Sequence, residues 1–134
     1  MINYLQAVGI RANLRFMQYA AMRDQVRAHK VPFAHQSWGS SSIADVSANT
    51  PVFYKFAPDD LNRDPEVRDA LEKGDSTMDP QARKDAYKQA LDLIAERAYA
   101  VPLYSLPVHY VANRDLVFKA YADEIPRFWE MEWR

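Results

Sequence analysis

The chain has 134 residues, about half of them hydrophobic, with 17 basic against 18 acidic side chains and no cysteine. This suits one compact domain with enough apolar surface for a core. It excludes disulfides, thiolate metal sites and cysteine nucleophiles, and the absence of a basic stripe gives no footprint for nucleic acid.

The first six residues, Met1 to Gln6, lack the basic start and long apolar run of a signal peptide. Ile2, Leu5 and Val8 instead mark one face of a helix that begins without a cap, as in a piece excised from a longer chain. Gly9 should stop this helix, because glycine tolerates the left-handed conformation at a helix C-terminus. Ala12, Leu14 and Phe16 then alternate with Arg11, Asn13 and Arg15, which predicts a strand. A second helix is expected from Tyr19 to His29, with Tyr19, Met22 and Val26 on its buried side, ended by Pro32. Phe33 to Trp38 reads as a second, more buried strand.

Gly39-Ser40-Ser41-Ser42 forms a polar turn after that strand. From Ile43 to Asn62 no period is sustained, and so long a connection is usually functional or mobile. Within it, Val52 to Phe56 reads as a short extended piece. Asp64-Pro65 and Asp79-Pro80 each place an N-cap aspartate before a first-turn proline. The first of these helices is expected to stop near Gly74. The second should run from Pro80 to Ala98, with Tyr87, Leu91, Ile94 and Ala98 as its apolar stripe and Ala86, Ala90 and Leu93 beside it. Arg83, Lys84, Asp85 and Lys88 fall on its outer side. Val101 to Tyr104 and Val108 to Val111 read as short strands interrupted by Pro102 and Pro107. The tail from Phe118 to Arg134 is aromatic and irregular. No apolar stretch reaches the roughly 18 residues of a membrane span. The order of elements predicts an α/β layer structure with crossover helices.

Leu5 to Ile10 with the strand through Phe16, Gln36-Ser37-Trp38-Gly39, the two Asp-Pro helix starts, Ala86-Tyr87 with Leu91, and Ala100 to Tyr104 follow one another in an ordered set. That set resembles the C-terminal lobe of extracytoplasmic solute-binding proteins of the peptide/opine/nickel family, the receptors of ABC importers. The resemblance spans nearly the whole chain. It implies a type II periplasmic-binding-protein-like lobe, with a mixed sheet flanked by helices, as an incomplete fragment of a two-lobe protein that closes on its ligand. Residues 1–105 would form the ligand-binding lobe, and 106–134 a hinge-return segment packing on the other lobe. The implied function is non-catalytic solute binding in the periplasm, with a small-molecule solute and the inner-membrane ABC permease as partners and no cofactor. The chain itself would not span the membrane.

The ligand-binding candidates are Trp38, Gly39, Ser40, Ser41, Ser42 and Asp45, gathered where a strand end meets a polar loop. Trp38 would stack on ligand or wall the pocket, its plain alternative being a core tryptophan. The serines would supply donors, or simply form a solvated turn. Asp45 would accept from a cationic or hydroxylated ligand, or close an Asx turn. Peptide-binding members of the family carry an aspartate three residues after the Trp, where this chain has Ser41. An ammonium buried there would lack its partner, so an unmodified peptide is not the expected ligand.

Two other readings compete. Ser41, His35 or His109, and Asp45 are the residue types of a hydrolase triad, but no G-x-S-x-G elbow accompanies them. Alternatively the chain is a stand-alone α/β interaction domain that oligomerises. His29, His35 and His109 have no metal-ligand spacing. Phe118, Phe128, Trp129 and Trp133 form an apolar surface that predicts self-association through the C-terminal third.

Overall fold

The computed structural model describes residues 1–39, 43, 45–121 and 123–134. The chain divides into two compact units, Met1–Ala34 and His35–Arg134.

In the first unit, α1 (Ile2–Ala7) ends at the capping residue Val8, and Gly9 follows with φ +86°. The Ile10 amide then reaches back to the Leu5 carbonyl at 2.9 Å, closing the last turn as the glycine predicted. Helix α2 (Tyr19–Arg27) ends in the same way, with His29 taking the left-handed position at φ +55° and Lys30 N donating to Gln25 O at 2.9 Å. On its expected inner side Val26 is buried and Met22 half-buried, but Tyr19 is exposed, its ring under the Arg23 guanidinium at 5.8 Å. Residues 10–18 form no strand, and Phe16 is 90% exposed. Alternation marks a residue run that suits a sheet, but a strand exists only where a neighbour takes its amides and carbonyls.

The second unit is built on a helical hairpin, α4 (Pro65–Ser76) and α5 (Pro80–Glu96). Asp64 caps α4 through the amides of Glu66 and Val67, and Asp79 caps α5 through Ala82 N at 2.6 Å. Each following proline occupies the first turn, where its missing amide costs nothing. Val67, Ala70 and Leu71 of α4 pack on Tyr87, Ala90 and Ile94 of α5, with Val46, Tyr54, Leu93 and Tyr99 sealing the edges.

Two details depart from the sequence expectation. Helix α4 does not stop near Gly74 but continues to Ser76. Gly74 serves packing instead, since a Cβ there would lie 2.5 Å from the Tyr87 ring. The inner stripe of α5 passes through Ala90, and Leu91 faces out. Both residues satisfy a helical period after Tyr87, and the small one lets the helices approach.

The hairpin is closed at its open end by Asp64. Its carboxylate, besides capping α4, accepts from Arg97 and from the Tyr99 hydroxyl at 2.8 Å, and Arg97 also bonds Glu66. Between them, Ala98 takes φ +52° and Tyr99 N reaches Ile94 O at 3.1 Å.

Val52 to Phe56 was expected to be extended, but Val52, Phe53 and Tyr54 belong to the helix α3 (Thr50–Tyr54). Pro51 sits in its first turn, the same device as in α4 and α5, and the Thr50 hydroxyl donates to Val46 O at 2.9 Å. Beyond it, the buried Asp60 accepts from the amides of Phe56, Asn62 and Arg63 at 2.9–3.1 Å. This one carboxylate holds a turn in which Phe56 and Arg63 both have positive φ.

The runs predicted as strands at 33–38, 101–104 and 108–111 have no ladder partners. Among the described residues the sheet is a short antiparallel pair, β1 (Leu116–Val117) with β2 (Glu132–Trp133), in the register Leu116↔Trp133. No helix among the described residues is long and apolar enough to cross a membrane.

Candidate functional site

Trp38 lies in the segment that leads into α3. The residue is 40% exposed, and its ring forms a T-shaped pair with the Phe53 ring, with centroids 5.2 Å apart and planes at 83°. Phe53 in turn lies 6.4 Å from the Tyr54 ring, and Tyr54 packs on the hairpin core. The indole thus has an aromatic neighbour in Phe53 while the residue stays partly exposed. Gly39 has open space around it and is not needed for a close approach. Ser40, Ser41 and Ser42 lie outside the described residues.

Asp45 is engaged on two sides. It caps a 3-10 turn, Val46–Ala48, by accepting from Ser47 N at 2.8 Å. The Arg83 Nη2 donates to both of its carboxylate oxygens, at 2.7 and 2.8 Å. Hydrogen bonds from Ser47, reinforced by Arg83, hold this carboxyl below the usual carboxylate range. Arg83, which the helical period places on an outer face, is therefore half-buried and spent on a residue 38 positions earlier. No local signal in the sequence pairs these two residues.

The same guanidinium lies 5.0 Å from the centre of the Tyr87 ring. The Tyr87 hydroxyl donates to Asp75 Oδ1 at 2.7 Å, and Lys55 Nζ donates to Asp75 Oδ2 at 3.0 Å. Burial, and then the bond to Asp75, push the Tyr87 phenol up to about 12. Burial also raises Tyr54, helped by the charge of Asp60. A continuous polar chain, Asp45–Arg83–Tyr87–Asp75–Lys55, therefore ties Asp45 and Lys55, on either side of α3, to the hairpin. Every side chain in it has a partner, so at rest it is structural.

Of the residue types of a hydrolase triad, Ser41 lies outside the described residues. Asp45 is held by Ser47 and Arg83, and the His35 ring lies 6.4 Å from Tyr104. A shallow recess of about 330 Å³ lies elsewhere, lined by Leu106, Val108, Tyr110, Ala120 and Tyr121. Near it the Tyr110 hydroxyl donates to Tyr121 O at 2.8 Å. Lys119 and Arg127 both lie over the Tyr121 ring, at 4.8 and 3.6 Å. The recess has no charged group in its lining and excludes the candidate residues Trp38 and Asp45.

Compared with protein-family models, curated proteins and solved structures, the chain matches none of them.

Proposed function

We propose that this chain is part of the C-terminal lobe of a solute-binding protein of the peptide/opine/nickel type, which holds its ligand without chemistry and delivers it to an ABC permease. The observation that carries this reading is the ordered series of Gly9-Ile10, Trp38-Gly39, Asp64-Pro65, Asp79-Pro80 and Val101 to Tyr104 along the chain. The partial exposure of Trp38 supports it, because an accessible aromatic side chain suits contact with an organic solute. The placement of Asp45 limits the solute, since its carboxylate already has a cation. On this reading the protein works outside the cytoplasm. Mass spectrometry of small molecules that co-purify with the protein tests the proposal, followed by calorimetry on the compound found. Trp38→Ala should weaken that binding about tenfold or more, in keeping with the roughly 1–3 kcal/mol that a stacked aromatic contributes. Unchanged affinity would remove Trp38 from the site.

A second reading, self-association through the C-terminal third, is favoured by one observation. Phe128, Trp129 and Trp133 are all largely exposed although that segment is ordered by its own bonds, including Arg127–Asp123 at 2.8 Å and Arg134 N to Asp115 O at 2.8 Å. Sedimentation over a range of concentrations tests it, and a monomer throughout would refute it.

A further inference from the structure

The strand β2 (Glu132–Trp133) has one edge to spare. Arg134 N donates to Asp115 O at 2.8 Å, beside the pair Leu116↔Trp133. By the alternation of an antiparallel ladder, Glu132 and Arg134 therefore turn their backbone groups toward β1, and Trp133 turns its N–H and C=O away. Met131, just before the strand, is already extended at φ −92° and ψ 139°. Side chains alternate along this edge, with Met131 and Trp133 on one face and Glu132 and Arg134 on the other. An open edge of this kind is a template for a further strand.

A run of matching pattern exists in the same chain. Residues 11–17 take no regular structure and make no backbone hydrogen bond to any described residue. Ile10, Leu14 and Phe16 are exposed and alternate with Arg11, Asn13 and Arg15. Arg15 and Glu132 are both exposed, and neither has an ion-pair partner among the described residues. Laid antiparallel with Leu14 opposite Trp133, this run sets Phe16 opposite Met131, Arg15 opposite Glu132 and Asn13 opposite Arg134. Apolar side chains then meet on one face and opposite charges on the other. A slip of one residue would set apolar side chains on the charged face. A slip of two, either way, would bring Arg11 or Arg15 against Arg134.

We infer that residues 10–16 of one copy add as a third strand to the open edge of β2 in a second copy, and that the second copy returns the same contact, giving a two-fold dimer. This rests on the reading of self-association through the C-terminal third and names the surface that does it. The occupant is a second copy because each molecule carries both halves of the charge and apolar pattern. Strand addition gives partners to backbone groups that both segments leave to water, and it covers Leu14, Phe16 and Trp133 together. Two identical contacts related by a two-fold axis close the assembly at a dimer.

The test is sedimentation equilibrium of the full chain, with circular dichroism to check that each variant folds. Arg15→Glu and Glu132→Lys each place like charges opposite one another at both contacts of the dimer. Each should weaken dimerisation about tenfold. An equimolar mixture of the two variants should regain it, since each then meets its opposite charge in the other molecule, and mixing does not rescue a misfolded chain. Leu14→Pro removes the amide that faces Trp133 and should abolish dimerisation. Association that ignores both charge reversals, or that survives Leu14→Pro, overturns the inference and leaves self-association through the aromatic tail standing. Two weakened variants that fail to recover on mixing also overturn it. An unaltered chain that stays monomeric at every concentration refutes the inference and the self-association reading together.

Discussion

The segment of residues 100–134 is richer in apolar residues than the helical hairpin of 64–99 that precedes it, yet it is the hairpin that buries them. In the hairpin, Leu71, Val67 and Ala90 are wholly buried and both N-caps are satisfied within a few residues. In the following segment, Tyr104, Val111, Phe128, Trp129 and Trp133 remain exposed, and among its described residues regular structure is limited to the two-residue pair β1–β2 and one 3-10 turn. The difference lies in where backbone hydrogen bonds are found. A helix supplies its own, so two amphipathic helices joined by a short turn need only each other to form a core. A strand borrows its bonds from a neighbour, so alternation alone does not make one.

This contrast is best attacked where it is greatest. Leu71→Ala should cost about 2–5 kcal/mol, the usual penalty for emptying a fully buried aliphatic site. Urea denaturation followed by circular dichroism measures it, and a loss below about 1 kcal/mol would mean that the hairpin is not the stabilising core. Gly74→Ala is the sharper probe. Alanine is the better helix former by about 1 kcal/mol. Its Cβ, however, would lie 2.5 Å from a tyrosine ring pinned by its own hydroxyl. Overpacking of this kind costs about 1–3 kcal/mol, so the variant should be destabilised on balance, and a stabilised one would show that Tyr87 is free to move.

Acid should act on the open end of the hairpin. Arg97, with Tyr99 and the capping amides, holds the Asp64 carboxyl down to about 2, below its ordinary 3.8. A depressed carboxylate contributes stability that is fully present above the ordinary value and lost as pH falls through the depressed one. The urea midpoint should therefore decline between pH 4 and 2. Asp64→Asn should flatten that decline, and an equally steep fall in the variant would assign it to other groups.

Ala98 makes a smaller and opposite change. It holds a left-handed conformation that costs a residue with a Cβ about 1–2 kcal/mol, partly offset in glycine by chain entropy. Ala98→Gly should stabilise the protein by about 0.5–1 kcal/mol, visible as a rise in the thermal midpoint. The smallest effect belongs to the other region. Trp129, 76% exposed, should tolerate Trp129→Ala within about 0.5 kcal/mol at low protein concentration. A larger loss there would reveal a partner for the aromatic tail and erase the contrast.

What could be read from residue order alone were the features whose physics is local. The Asp-Pro starts of α4 and α5 and the glycine end of α1 each depend on a few adjacent residues, and each was legible, whereas α2, expected to run to His29, stops at Arg27 with His29 in the left-handed conformation. The same Pro-at-the-start signal was present at Pro51, but the aromatic run after it argued for an extended piece, and α3 went unpredicted. Trp38 and Asp45 could be singled out by type and position, whereas the cation that occupies Asp45 could not, because 38 residues separate it from Arg83. The packing role of Gly74 was hidden for the same reason, since it exists only when Tyr87 arrives from the other helix. The choice of Ala90 over Leu91 was also left to the partner helix, because a period of 3.6 admits both. Hydrogen bonds between neighbours in sequence form whatever the rest of the chain does. Which distant side chains share a carboxylate, a ring face or a helix crossing is decided only when the tertiary structure brings them within reach.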